Sequence, residues 1–339
     1  MRAIGYRNPS AKLDHLEPFD LPRPTPEGRD LLVEVRAVSV NPVDYKVASG
    51  GGPGGGSSDL SAIKVVGYDA AGVVAETGRE AKLFRPGDEV FYAGSVGRQG
   101  SDMEFHLVDE RIVGRKPRTL DFAAAAALPL TSITAWEAMF DRLDVAKPVA
   151  GAASAILILG GAGGVGSIAI QLARQLTDLT VVATASRPET VHWAKDMGAH
   201  HVVDHKKLLA PQVAALGLGS PAFIFATAPI GGLIADLAEL IAPQGRIALI
   251  NGEAADLFVF RPKSVSIHHE LMFTRPLFQT ADMVAQHRLL NEVADLVDSG
   301  RVRSTMRENY GRIDAANLMR AMIHLKSGSG IGKIVLAGF

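Results

Sequence analysis

The chain contains no cysteine. That absence excludes disulfides, thiolate zinc sites, iron–sulfur clusters and a cysteine nucleophile. No apolar run approaches the roughly 18 residues that a membrane-spanning helix needs. The opening residues, MRAIGYRNPS, lack the apolar core of a secretory signal. Charge of one sign is also missing: 35 basic residues stand against 36 acidic ones, a net charge of −1. Neither a nucleic acid nor a membrane is therefore expected as a partner, and the expected setting is the cytoplasm. What is present is 339 residues of ordinary folded composition, 47% hydrophobic and 21% charged, long enough for two domains.

The N-terminal third reads as β-rich. DLLVEVRAVSV (30–40) alternates apolar and polar side chains, the pattern of a half-buried strand. AAGVVAETG (70–78) and RPGDEVFYAG (85–94) read as short strands punctuated by Gly and Pro. SGGGPGGGSSD (49–59) reads as a flexible loop, either a surface insertion or a flap near a site. TLDFAAAAALPLTSITAWEAMFDRL (119–143) is Ala-rich and helix-prone. Strand-then-helix units follow at 155–159 and 164–176, 180–184 and 188–197, 201–203 and 206–216, 222–226 and 231–242, then a strand at 246–250. SVSIHHEL (264–271) reads as one more strand. This alternation predicts a parallel sheet covered on both faces. The tail reads as a helix at 280–300 closed by Gly300, a short strand, a helix at 314–328 and a strand at 333–338. The expected fold class is α/β: a doubly wound Rossmann sheet plus a β-rich domain.

AILILGGAGGVGSIAIQLARQL (155–176) puts Gly161, Gly163 and Gly166 at G-x-G-x-x-G spacing between an apolar strand and an apolar-periodic helix. With Ala162, Gly164 and Val165 they form a candidate cradle for a dinucleotide pyrophosphate. The first glycine permits the turn, the second lets backbone approach the phosphates, and the third lets helix pack on strand. The helix N-terminus then offers free N–H groups and a positive dipole end. A merely tight turn is the plainer alternative. NAD sites carry an acid at the end of the second strand, about 20 residues on. Here VVATASRPET offers Ser186 and Arg187 instead. A hydroxyl and a guanidinium suit a 2′-phosphate, so NADPH is the expected cofactor. The same residues also suit a helix start, with Ser186 as N-cap. His205, ending the third strand, is either a further phosphate contact or a surface residue.

These parts together resemble the medium-chain dehydrogenase/reductase superfamily over nearly the whole chain. SVNPVDYKVASG (39–50), AAAAALPLTSITAWEAM (123–139), FTRPLFQ (273–279) and GIGKIVL (330–336) resemble its zinc-free quinone oxidoreductase branch, within it the subgroup called zinc-type alcohol dehydrogenase-like. The resemblance implies a GroES-like catalytic domain at 1–124, a Rossmann NADP(H)-binding domain at 125–272 and a return to the catalytic domain at 273–339. Zinc-using members carry Cys where this chain has Asn41, and Gly-His-Glu where it has Gly67, Tyr68 and Asp69. Their third catalytic ligand lies around Leu130, and four further cysteines lie near 92–105. Asn, Tyr and Leu do not make a zinc site. The one histidine cluster, His200, His201 and His205, is spread over opposite faces of a strand. No metal is expected.

Without a Lewis acid, the resemblance implies NADPH-dependent hydride transfer to an already electrophilic acceptor, a quinone or an α,β-unsaturated carbonyl. By resemblance Asn41 lies near the nicotinamide and donates to a developing oxyanion; its alternative is a turn cap before Pro42. Lys46 reaches cofactor phosphates or solvent, and Asp44 orients its neighbours. Tyr45, Tyr68 and Tyr92 line a flat acceptor slot or simply pack. Thr131, Thr134, Thr227, Asn251, Gly252, Phe273, Thr274 and Lys333 complete the cofactor side. A homodimer joined through the edge strand SVSIHHEL is expected. The rival reading is a non-catalytic nucleotide binder, as crystallin and RNA-binding members of the branch are. Zinc alcohol dehydrogenation is a third, opposed by the missing cysteines.

Overall fold

The computed structural model describes residues 1–10, 12–51, 63–252 and 256–339. Most of the glycine-rich 49–59 loop therefore lies outside the described residues. The chain divides into two compact units: Met1–Ile133 with Phe273–Phe339, and Thr134–Met272.

The second unit is built on a six-stranded parallel sheet. Its strands lie in the order His201–Val203, Thr180–Thr184, Ala153–Leu159, Pro221–Ala226, Arg246–Leu249, Ser266–His269. In chain order that is 3-2-1-4-5-6, with every pairing parallel. The order reverses between the first and fourth strands, and ligands of such sheets bind beyond the strand ends at that reversal. Strands buried on both faces need near-continuous apolar side chains. AILIL (155–159) supplies them, and each of these residues is at most 2% exposed. One face packs Leu157, Ile224 and Ile247 against Leu209, Leu237 and Ile241. The sixth strand is shorter than the 264–271 expected, and it forms the sheet edge.

The first unit centres on the long strand Asp30–Val40, which pairs antiparallel with Ala70–Thr77, Phe105–Asp109 and Lys333–Ala337. The C-terminal strand is thus built into the N-terminal sheet, with Ile334 opposite Val40. Arg2–Tyr6, Glu17–Asp20 and Lys64–Val65 make a separate three-stranded sheet. The tail helix Ala285–Asp298 packs on Val113–Arg115, so closely that a Cβ on Gly114 would lie 2.5 Å from the Leu290 Cβ. It starts five residues later than the sequence pattern suggests. The helix expected over 119–143 is broken into Phe122–Ala126, Pro129–Trp136 and a π-helical Glu137–Arg142. Pro129 has no N–H to continue a preceding turn.

The division between units falls after Ile133, not at residue 125. Residues 124–130 are tied inside the first unit: the Ser304 hydroxyl donates to the Ala124 carbonyl, Thr305 Oγ1 to the Ala127 carbonyl, and the Leu130 N–H to Asp69. Among the described residues no helix is long and apolar enough to cross a membrane.

The glycines of the 160–166 turn are not equivalent. A Cβ on Gly166 would lie 2.2 Å from the Gly160 carbonyl oxygen, and one on Gly161 would lie 2.7 Å from the Ala183 Cβ. On Gly163 the nearest atom, the Gly160 oxygen, is 3.4 Å away. Gly166→Ala is expected to cost about 1–3 kcal/mol of stability in urea unfolding of the nucleotide-free protein. Gly163→Ala should cost less than about 1 kcal/mol, the difference between Gly and Ala at a helix N-cap.

Candidate functional site

In the second unit the glycine turn is pinned to the neighbouring strand. Gly160, at φ +73°, ends the first strand; its N–H donates to Thr184 Oγ1 at 3.0 Å, and Gly161 N–H donates to the Thr184 carbonyl at 3.0 Å. Gly163 caps the helix Gly164–Leu176. The N–H groups of Gly164, Val165 and Gly166 have no carbonyl one turn back within the helix, so they face its open N-terminal end. Ala162 is buried beneath them, 6% exposed. Ala226, Ala228, Leu249, Asn251 and His269 line a cavity at the C-terminal ends of the fourth to sixth strands. Among the described residues the Asn251 Nδ2 is buried there without a partner, a donor open to a ligand. Beside it Gly252 has open space where a Cβ would go. These residues fit a dinucleotide. Thr227 is more committed than expected: its hydroxyl donates to the Leu159 carbonyl at 2.6 Å, leaving only lone pairs for a ligand.

At the second strand's end, Ser186 and Arg187 are half-buried. The following helix, Pro188–Asp196, is capped by Arg187, not Ser186. Thr190 Oγ1 accepts from the Arg187 N–H at 3.1 Å and donates to the Arg187 carbonyl at 2.8 Å. The Ser186 hydroxyl takes no part in that cap. The Arg187 Nε pairs with Glu189 at 2.9 Å. His205 follows the third strand and is exposed.

In the first unit the residues meet around a buried ammonium. Lys333 is 3% exposed and opens the C-terminal strand. Its Nζ donates to the Val40 carbonyl at 2.7 Å and to Asn41 Oδ1 at 2.6 Å, and lies 3.2 Å from Asp69 Oδ2. Asp69 Oδ2 also accepts from Asn41 Nδ2 at 2.8 Å, while its Oδ1 accepts from the Leu130 N–H at 2.8 Å. Asp44 Oδ2 accepts from the Asn41 N–H at the start of the helix Pro42–Ala48. The positions that the resemblance matches to zinc ligands thus come together in space, but a protein cation lies among them. An amide, a phenol and an alkyl side chain are poor zinc donors, and an ammonium repels a second cation. Among the described residues no group of three or more His, Asp or Glu could hold a metal ion. These residues do not fit zinc.

This arrangement corrects several expectations. Asn41 does not present its amide to an acceptor. Its Nδ2 serves Asp69, the Ser39 carbonyl at 3.2 Å and the Tyr68 carbonyl at 3.3 Å, and its Oδ1 serves Lys333. Lys333, expected on the cofactor side, lies at the core of this cluster. Tyr68 and Tyr92 are both 0% exposed. Tyr92 stacks on His106 at 5.5 Å and hydrogen-bonds its Nδ1, so it packs rather than lining an open slot. Tyr68 meets the ring of Phe273 edge-on at 5.5 Å, and among the described residues its hydroxyl is buried without a partner. Thr131 donates to the Leu128 carbonyl, and Thr134 is buried. Tyr45 and Thr274 are half-buried, and Lys46 is exposed.

Burial pushes the Asp69 carboxyl up to about 6 and the Asp44 carboxyl up to about 7, with Lys333 pulling both back. Burial, reinforced by Asp44, also holds Asp102 well above the carboxylate range. A carboxyl raised in the native state holds its proton more firmly there than in the unfolded chain. Its contribution to stability is full below about 4 and is lost as pH rises through about 7. The stability of Asp44→Asn relative to the wild type is therefore expected to rise by about 1–3 kcal/mol between pH 4 and pH 8. Lys333→Met should lose about 3–5 kcal/mol at pH 7, where it strands a buried carboxylate, and less at pH 5, where Asp69 takes a proton. Urea unfolding at both pH values checks this; equal losses would remove the buried pair as the cause.

Two family models match the chain: "Alcohol dehydrogenase GroES-like domain" over residues 27–118 and "Zinc-binding dehydrogenase" over residues 164–296. A zinc-type alcohol dehydrogenase-like protein of Staphylococcus aureus (strain MRSA252) is 39% identical, with 99% of each chain covered. A Rhizobium etli CFN 42 protein of known structure, provisionally described as a zinc-dependent alcohol dehydrogenase, is 61% identical, with a TM-score of 0.96 over 100% of this chain and 98% of that one. The 2-methylene-furan-3-one reductase of Solanum lycopersicum is 37% identical over 52% of this chain and 45% of its own length. With the strand order and the glycine turn, these matches make the chain an oxidoreductase of the medium-chain dehydrogenase/reductase superfamily, carrying a GroES-like domain and an NAD(P)-binding Rossmann domain.

Proposed function

We propose that the protein is an NADPH-dependent, metal-independent reductase that delivers hydride to quinones or α,β-unsaturated carbonyls. The observation that carries this reading is Lys333, whose ammonium sits among the positions where relatives hold a metal. Oxidising an unactivated alcohol needs its oxygen polarised as the alkoxide forms, a task that zinc performs. An enone or quinone needs less help. Hydride added to it leaves charge delocalised over an enolate or a phenolate, which a single later proton neutralises. The bound nicotinamide supplies that hydride. The protein binds and orients the dinucleotide and supplies a dry slot. The furanone reductase among the relatives points to the same acceptor class.

The 2′-phosphorylated cofactor is favoured by the residues just past the second strand. Ser186 and Arg187 stand at the strand end where NAD sites carry an acid, and Glu189, two residues on, pairs with the guanidinium through its Nε. A guanidinium is a planar fork that matches phosphate geometry. Arg187→Glu is expected to raise the NADPH dissociation constant by about tenfold or more and to leave that of NADH within about threefold. Equal effects on both nucleotides, read by fluorescence titration, would remove the 2′-phosphate assignment. An NADPH-oxidation assay over quinones, enals, enones and simple aldehydes should show turnover with the first three, undiminished by a zinc chelator. Tight NADPH binding without turnover of any acceptor would replace catalysis with a binding role.

A further inference from the structure

Between the cradle helix Gly164–Leu176 and the helix Pro188–Asp196 runs a short chain of hydrogen bonds. The Trp193 indole N–H donates to Ser167 Oγ at 2.8 Å, and Ser167 Oγ donates to the Gly163 carbonyl at 2.7 Å. The directions are not interchangeable. An indole only donates and a carbonyl only accepts, so the one hydroxyl proton must point at Gly163. The Ser167 N–H donates to the same carbonyl at 2.9 Å, and Ser167 is wholly buried. Bonds in such a chain polarise one another.

The Gly163 carbonyl belongs to the peptide that closes the glycine turn. In a trans peptide the C=O and the following N–H point in opposite directions. Holding the Gly163 carbonyl into the helix therefore aims the Gly164 N–H outward, at the phosphate position. The other end of the chain is anchored on the helix whose first turn carries Arg187. We infer that Trp193 and Ser167 are positioning residues that join the pyrophosphate cradle to the helix bearing Arg187, so that one dinucleotide is held at two points with fixed spacing. The inference rests on the dinucleotide reading of the proposed function and adds how the two contacts are coupled.

The two residues act at different ends, and that gives the test. Trp193→Phe keeps the ring but removes the donor. Ser167 still holds Gly163, so the cradle survives while the helix carrying Arg187 loses its tie. Ser167→Ala removes the hydroxyl's bond and leaves only the backbone N–H on the Gly163 carbonyl, so it loosens the cradle itself. In fluorescence titrations of the full-length protein, Trp193→Phe is expected to raise the NADPH dissociation constant about tenfold and to leave NADH within about twofold. Ser167→Ala should raise both about tenfold. A general loosening of the fold would move both nucleotides alike in both variants. Equal losses in Trp193→Phe, or wild-type binding by either variant, would overturn the inference. Wild-type protein that binds neither nucleotide would instead overturn the dinucleotide reading itself.

Discussion

The first unit depends on one buried ion pair. Lys333 and Asp69 are both almost wholly inaccessible, and neither tolerates that alone: an isolated buried charge is strongly unfavourable. Together they bind four stretches of chain. The ammonium takes the end of the long central strand at Val40 and the side chain of Asn41; the carboxylate takes Asn41 again and the Leu130 backbone. A salt bridge of this kind adds little net stability over well-packed apolar groups. Its value lies in fixing which segments meet, because any other register leaves a charge in the core unpaired.

The second unit works differently. Its order comes from continuous apolar strands and from backbone contacts so close that side chains are excluded. The turn at 160–166 is shaped by what cannot fit at Gly161 and Gly166 and by what is left open at Gly163. Scaffold and site share the same residues: the contacts that press helix against strand also present the open N–H groups at the helix start. Polar ties from Thr184 and Ser167 then hold that backbone in place, each hydroxyl serving a main-chain partner. Catalytic power in such a protein comes from the cofactor, and the chain's task is geometric.

Whether a feature was legible in the sequence depended on its range. Strand-helix alternation, the glycine spacing and the Ser186–Arg187 pair are local patterns, and local patterns carry their own physics. The parallel sheet followed from them. The Lys333–Asn41 contact spans 292 residues of chain, and no local rule links its ends. A lysine opening the apolar run KIVLAG was the available signal, since a buried strand seldom starts on an unpaired charge. The tyrosines were left open for a related reason: an aromatic ring reads alike whether it lines a slot or fills a core, and Tyr92 fills a core against His106. The unit boundary was misplaced because the Ala-rich stretch after residue 119 looks like one helix, whereas its early residues are claimed by partners in the tail.

The placement of the last strand also sets an order of events during synthesis. Asp69 leaves the ribosome long before Lys333, and at roughly 5–20 residues per second the gap is on the order of tens of seconds. The central strand Asp30–Val40 waits as long for its neighbour Lys333–Ala337. Throughout that interval Asp69 lacks the ammonium it pairs with in the folded protein. The N-terminal sheet is therefore committed early in pattern but completed last. The nascent chain must carry its second unit, already able to fold from contiguous sequence, while the first still lacks the residue that locks it.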